Sequence, residues 1–239
     1  MRPGEEAGGS AIQAECAVWW AVLSMLRDRH LNLLDALESD RRRAYRREAD
    51  ADRFTIGAVL LRLALAAELG AEPDRVPIQR SCPTCARPHG RPTVAGAGRH
   101  LSVSHSGNRI AVAITAAAPV GVDVEELASS RPVDDSEQLA RHVLGPGESV
   151  GDRREFLVYW VRKESVVKAT GEGLRAPLPD VLVSRPDAPP RLVGYPGRRA
   201  LAATMADLDP GDGYLGALTV LADVPLVVRE HDAAGLLLG

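Results

Sequence analysis

Apolar and polar residues are arranged along the chain in short runs of two kinds. Residues 16–26 are dense in Val and Trp and read as a first strand. From residue 52 to 69 apolar positions recur at helical spacing (Ile56, Leu60, Leu63, Ala67), which predicts an amphipathic helix ended by Gly70. Residues 101–104 and 110–114 alternate on either side of SHSGNR, the pattern of a hairpin, and residues 120–125 form a third alternating run. Between the helix and the hairpin, SCPTCARPHGRP reads as a loop. In the second half a long helix is predicted over 153–170. Asp152 and Glu155 form a capping box at its start, and Gly171 suits the position just past its end. Short strands follow in VLVS and YLGALTVLAD. Strands and helices mixed without strict βαβ order predict an α+β fold, with helices packed on small antiparallel sheets.

The chain has 239 residues, enough for one large domain or two of roughly 100–120 residues. A seam is expected at 115–119, dividing the chain into a flexible lead (1–15), an N-terminal half (16–117) and a C-terminal half (118–239). With 45% hydrophobic and 26% charged residues it is neither disordered nor collagen-like, and three cysteines are too few for a disulfide framework. The first ten residues carry Glu5 and Glu6 where a signal peptide needs positive charge, and no apolar run reaches a membrane span. A cytoplasmic location is expected, without membrane contact. The net charge of −3 also excludes a nucleic-acid-coating protein while leaving room for a local basic pocket. Only two of the 29 basic residues, Lys163 and Lys168, are lysine, leaving 27 arginines. A chain that uses arginine nearly everywhere keeps both its lysines in one helix.

The chemistry gathers in five places. In Gly121-Val-Asp-Val-Glu125 the strand period puts Asp123 and Glu125 on one face, roughly 6–7 Å apart. Two hard-oxygen ligands in such a pair suit Mg²⁺, although a solvated strand face has the same pattern. In the long helix, Trp160, Glu164 and Lys168 fall at i, i+4 and i+8, with Phe156 extending the stripe. Glu164 and Lys168 as a surface ion pair would contribute only about 0.3–0.5 kcal/mol. A charged pair on the stripe that should face the core points to a site instead. His105, between Ser104 and Ser106 at the hairpin turn, suggests a phosphate-binding turn, whereas no G-x-S-x-G supports a serine hydrolase. Arg41, Arg42, Arg43, Arg46, Arg47 and Arg53 form either a solvated face or a phosphate-binding surface. Cys82, Cys85 and His89 have the spacing of half a zinc site, with no second C-x₂-C to complete it.

SVSHSG, then GVDVE, then W-V-R-K-E-S-V-V-K-A-T-G-E-G-L resemble, in that order, the motifs of the Sfp-type, two-domain 4′-phosphopantetheinyl transferases. The resemblance covers residues 91–174 and extends weakly back over R-x-x-D-A-D-R-F-x-x-G-x-x-L-L-R, ending at Arg62. It implies two similar α+β halves with the site in the cleft between them, and a monomer. It also implies transfer of the phosphopantetheine arm of coenzyme A to a serine of an apo carrier protein, releasing adenosine 3′,5′-bisphosphate. The carriers would belong to polyketide, non-ribosomal peptide or fatty-acid synthases. By the same resemblance Asp123, Glu125 and Glu164 hold Mg²⁺ and His105 contacts a phosphate, with the Ser104 or Ser106 hydroxyl of the turn as a further donor. Lys168 meets the pyrophosphate, with Glu164 a candidate base. Arg91 stands where the family has the lysine of G-K-P, and Arg53, Arg41 and Arg43 meet the 3′-phosphate. Two other readings stay open on residues alone: another Mg²⁺-dependent enzyme cleaving a phosphoryl or pyrophosphate bond, and a non-catalytic zinc-knuckle binding module.

Overall fold

The structure, a computed structural model, describes residues 13–81, 85, 90–128, 137–195, 197 and 201–239. Its strands are β1 (Ala14–Val22), β2 (Ile78–Gln79), β3 (Thr93–Val94), β4 (His100–Ser106), β5 (Arg109–Thr115) and β6 (Val120–Glu126), then β7 (Leu182–Val183), β8 (Leu192–Gly194), β9 (Thr204–Leu208), β10 (Tyr214–Val220) and β11 (Leu226–Asp232). The α-helices are α1 (Ala36–Arg43), α2 (Glu48–Leu69), α3 (Glu137–Val143), α4 (Arg153–Thr170) and α5 (Ala234–Leu237). The fold is α+β, as the mixed runs predict. Residues 1–12 of the expected lead and most of the Cys-rich segment, with Cys82 and His89, lie outside the described residues.

Two sheets carry the architecture, one ordered β11-β1-β5-β4 and the other β6-β10-β9. Their pairings are antiparallel except that β11 runs parallel to β1. A parallel neighbour needs a long connection, and here nearly the whole chain supplies it. The period of two in β5 fixes the layering. Ile110, Val112 and Ile114 pack with Ile56, Leu60 and Leu61 of α2. Ala111 and Ala113 point the other way, into a core shared with Val18, Val122, Val124 and Leu218. The order of layers is therefore α2, first sheet, second sheet, α4.

The amphipathic pattern expected for residues 52–69 needs correcting. The helix begins a turn earlier, at Glu48, and is buried around most of its circumference from Phe54 to Arg62. The first sheet, α1 and neighbouring turns surround it, so a strict polar stripe is not required. The first strand ends at Val22, and a 3₁₀ turn over Leu23–Met25 replaces the rest of the expected run. Helix α4 has the predicted bounds, but its cap is not a reciprocal box. Asp152 accepts from the Glu155 amide at 2.8 Å, while the Glu155 carboxylate accepts from the amide of Gly151 at 2.6 Å.

Strands β4 and β6 are edges of different sheets, and their side chains join them. Ser102 Oγ accepts from the Val122 amide at 3.0 Å, and Ser104 Oγ donates to Asp123 Oδ1 at 2.8 Å. Ser106 Oγ donates to Glu125 Oε2 at 2.6 Å and accepts from the Glu126 amide at 3.2 Å. Two of these hydroxyls thus satisfy backbone amides on the edge of β6 where no strand pairs with it, and Ser104 between them holds a carboxylate.

Helix α4 crosses the opposite face of the second sheet closely enough to demand a glycine. A Cβ on Gly121 would stand 2.0 Å from the Ser165 carbonyl oxygen and 2.5 Å from the Ala169 amide nitrogen, both backbone atoms. We expect Gly121→Ala to cost at least about 2 kcal/mol, because overpacking against backbone cannot relax by a rotamer change. Urea unfolding measures it; a loss below about 0.5 kcal/mol would show that α4 is not held this tightly.

Candidate active site

Close contact of α4 with β6 brings the two predicted constellations together. Lys168 reaches across from the last turn of α4, and its Nζ donates to Asp123 Oδ1 at 2.7 Å, Ser104 Oγ at 2.7 Å and the Val122 carbonyl at 3.1 Å. Its ion-pair partner is therefore Asp123 on the sheet. Val120, Val122 and Val124 are buried in the core between the sheets, and Asp123 and Glu125 lie on the other face, as the strand period requires.

Burial raises the Glu164 carboxyl to about 6, and the negative charges of Asp123 and Glu125 add to the shift while Lys168 opposes it. The three carboxylates therefore feel one another. Asp123 Oδ2 is buried and finds no hydrogen-bond partner among the described residues. An orphaned buried carboxylate oxygen beside two further carboxylates is the donor set a hard divalent cation fits. Among the described residues no three metal-ligating side chains are gathered closely enough to clasp an ion as they stand. Lys168 and Ser104 hold one oxygen of Asp123, and Ser106 holds one of Glu125.

Beside this cluster opens a cleft of about 880 Å³. Among the described residues six cations line it, Arg41, Arg53, Arg80, Arg91, Lys168 and Arg175, with Glu172 the one carboxylate. Lys168 belongs to both features, which makes it the link between a basic cleft and an acidic cluster. Gly57 lets α2 lie close to β4, since a Cβ there would already meet Val103 Cγ1 at 3.0 Å. Arg53, four residues before it, is thereby brought over the hairpin turn, where Nε donates to the Gly107 carbonyl at 2.6 Å and Nη1 to Asp50 Oδ1 at 2.6 Å. Arg91 Nη1 donates to the Ala169 carbonyl at 3.0 Å, a cation placed at the C-terminal end of α4.

His105 points away from the serine seam and into the cleft. Its ring is open to the cleft yet sunk among protein groups. Desolvation, with Lys168 and Arg53 adding their charge, pushes it down to about 4. The imidazole is therefore neutral at pH 7.

Two expected phosphate contacts are not brought to the cleft. Ser104 is buried, and its hydroxyl is committed to Asp123 and Lys168. Arg43 is exposed and pairs with Asp40 on its own helix. Motif reading missed Arg80, Arg175 and the aromatic pair Tyr45 and Phe54, which also line the cleft. One signal was available: Phe54 is one of only two phenylalanines and directly follows Arg53.

The two lysines have different work. Lys163 is fully buried, bonding the carbonyls of Val143 at 2.8 Å and Leu178 at 3.1 Å and pairing with Glu148 at 2.5 Å. It ties α4 to the end of α3 and to the turn at Leu178, whereas Lys168 faces the cleft.

Residues 119–218 match the family model of the 4′-phosphopantetheinyl transferase superfamily. The 4′-phosphopantetheinyl transferase HetI of Nostoc sp. (strain PCC 7120) is 32% identical over 181 residues, 70% of this chain and 70% of that protein. A 4′-phosphopantetheinyl transferase of Bacillus subtilis is 28% identical over 161 residues, 63% of this chain and 66% of that one. The family match contains the carboxylates of β6 and all of α4, the elements that build the cluster around Lys168. On these grounds the chain belongs to the 4′-phosphopantetheinyl transferase superfamily.

Proposed function

We propose that this chain transfers the 4′-phosphopantetheine arm of coenzyme A to a serine hydroxyl of an apo carrier protein, releasing adenosine 3′,5′-bisphosphate. The observation that carries the reading is the junction at Lys168, where a cation-lined cleft meets three interacting carboxylates. Coenzyme A has the matching shape: a multiply charged nucleotide at one end and a pyrophosphate where the reaction occurs.

Each residue then has a task. Arg53, Arg91 and the neutral His105 bind phosphate oxygens of the coenzyme, and Arg41 the nucleotide end. Lys168 exchanges part of its contact with Asp123 for the pyrophosphate and neutralises charge that grows on the leaving bisphosphate. Asp123, Glu125 and Glu164 hold Mg²⁺, which when bound supplies further neutralisation of the pyrophosphate. The oxygen of the carrier serine attacks the phosphorus bearing the pantetheine arm, the bond to the bridging oxygen breaks, and the bisphosphate departs with the electron pair. Glu164 is the side chain that takes the serine proton as the oxygen attacks, directly or through a water. Positioning two substrates in line accounts for much of the acceleration in this class of reaction.

The carriers are those of polyketide, non-ribosomal peptide or fatty-acid synthases, and the enzyme works as a cytoplasmic monomer. Among the described residues no helix is long and apolar enough to cross a membrane.

Intact-mass spectrometry of apo carriers tests the reaction. With coenzyme A and Mg²⁺ each competent carrier should gain roughly 340 Da, the mass of the arm, in the single-displacement reaction described. Coenzyme A cleavage without any gain in carrier mass would instead favour a pyrophosphate-cleaving enzyme. Asp123→Ala and Glu164→Gln should each lower transfer at least about 100-fold with circular dichroism unchanged, as expected for groups acting on the charge of the transition state. Variants that retain a tenth of the activity would remove these residues from the mechanism.

His105 provides a pH test. Desolvation and two nearby cations hold its ring neutral in the free protein, so an arriving phosphate must favour the protonated form and raise its value. By NMR, His105 should titrate near 4 in the free protein. It should titrate higher once adenosine 3′,5′-bisphosphate is bound. An unchanged titration would place the phosphates elsewhere.

A further inference from the structure

The three serines of β4 face one edge of β6 and do different work there. Ser102 Oγ accepts from the Val122 amide at 3.0 Å, and Ser104 is bound between Asp123 and Lys168. Ser106 joins a backbone amide to a carboxylate: its Oγ accepts from the Glu126 amide at 3.2 Å and donates to Glu125 Oε2 at 2.6 Å. A hydroxyl carries a single proton. With the amide hydrogen already on the oxygen, the direction left for the O–H is the Glu125 carboxylate. Sequence offers Ser106 as a phosphate donor at the turn. The strand period instead turns it to β6, while His105 beside it takes the cleft.

The serine is itself held in place from outside the site. It is buried and ends β4, directly before the turn at Gly107 and Asn108. Arg53 Nε donates to the Gly107 carbonyl at 2.6 Å, and Asn108 Oδ1 accepts from the Leu23 amide at 2.9 Å. The Asn108 amide donates to the Tyr214 hydroxyl at 2.9 Å, and that hydroxyl donates to Glu126 Oε1 at 2.9 Å. One phenol on β10 thus clasps the turn to the end of β6, on either side of the bond between Ser106 and Glu125.

Asp123 and Glu125 are held by different kinds of donor. Asp123 Oδ1 takes the Lys168 ammonium, which answers part of its charge. The Ser106 hydroxyl is neutral, so it orients Glu125 and leaves the charge in place, and that charge is felt at Glu164. A glutamate has three side-chain torsions, and a cation that must order them binds more weakly than one that finds the carboxylate already aimed.

We infer that Ser106 is a positioning residue, which aims Glu125 at the cation shared with Asp123 and Glu164 and does not itself meet a phosphate. This rests on the transferase reading, which puts a metal at these carboxylates.

Mn²⁺ titration of the coenzyme A complex tests the inference without a transfer assay, read by electron paramagnetic resonance and corrected for metal held by the free coenzyme. Ser106→Ala should weaken Mn²⁺ binding about tenfold or more, the usual loss when the group orienting a metal ligand is removed. Ser102→Ala also strips a β6 amide of its acceptor, but Ser102 holds no carboxylate among the described residues. It should change the affinity less than about threefold. Ser106→Thr keeps the hydroxyl and should stay within about threefold of the wild type. Ser106→Cys, similar in bulk and a poorer donor, stands in if Ser106→Ala does not fold. In a Glu125→Ala protein the further change Ser106→Ala should have no effect, because its target is gone. Calorimetric binding of coenzyme A without metal should be the same in the wild type and the serine variants. Equal losses of Mn²⁺ affinity in Ser102→Ala and Ser106→Ala would make Ser106 a fastener of the strand alone and overturn the inference. So would unchanged Mn²⁺ affinity in Ser106→Ala, a folded Ser106→Thr as weak as Ser106→Ala, or weaker metal-free coenzyme binding in Ser106→Ala. Each of these leaves the transferase reading standing. A wild type that binds neither coenzyme A nor Mn²⁺ would overturn both together.

Discussion

Everything in this molecule that bears on chemistry passes through the contact between Lys168 and Asp123. The lysine belongs to α4 and the carboxylate to β6, and Ser104 brings β4 into the same group. A charged pair this close to the core is costly unless its remaining donors and acceptors are satisfied. Here the lysine has three acceptors, and Asp123 Oδ2 is the atom left over. The proposed function draws on that imbalance. The pair is stable enough to order three elements, and it keeps one buried oxygen ready for a ligand and one cation able to turn towards the cleft.

The surrounding fold follows from the same constraint. Gly121 is small because α4 must lie against β6 for Lys168 to reach Asp123. The serines of β4 alternate because each meets a group on the edge of β6, and only the strand period places them there. Lys163 stabilises α4 from its other side, through two carbonyls and Glu148, so the helix is fixed both to the sheet and to the end of α3 and the turns behind it. Arginine serves at the other 27 basic positions of this chain. At both these positions the partner is a compact set of oxygens around one nitrogen, which an ammonium fits better than a planar fork.

Much of this was legible in the sequence because it is local. The period of two in residues 120–125 places Asp123 and Glu125 on one face, and the helical spacing of Glu164 and Lys168 puts them on one side of α4. The hairpin over residues 101–114 and the end of α2 at Gly70 follow from alternation and from glycine's tolerance of positive φ, here +60°. What the sequence concealed is set by partners distant along the chain. Ser104 has the residue type of a phosphate donor, and only its packing against Asp123 shows it to be committed. Arg43 is chemically identical to Arg41, yet two residues along α1 turn it outward. Arg80 follows a two-residue strand, outside every motif, and reaches the cleft because Phe54 and Glu38 are there. The parallel pairing of β11 with β1 joins the two ends of the chain, which no pattern within a short window records.

The central claim is that the basic cleft and the carboxylate cluster form one site, joined at Lys168. The most direct test is the affinity for Mn²⁺, read by electron paramagnetic resonance with and without coenzyme A and corrected for metal held by the free coenzyme. A phosphate that draws Lys168 away from Asp123 frees a ligand for the metal, so coenzyme A should tighten Mn²⁺ binding by at least about tenfold, a coupling of about 1.4 kcal/mol. Equal Mn²⁺ affinity in the two conditions would show the cleft and the carboxylates to be separate sites and would contradict the account.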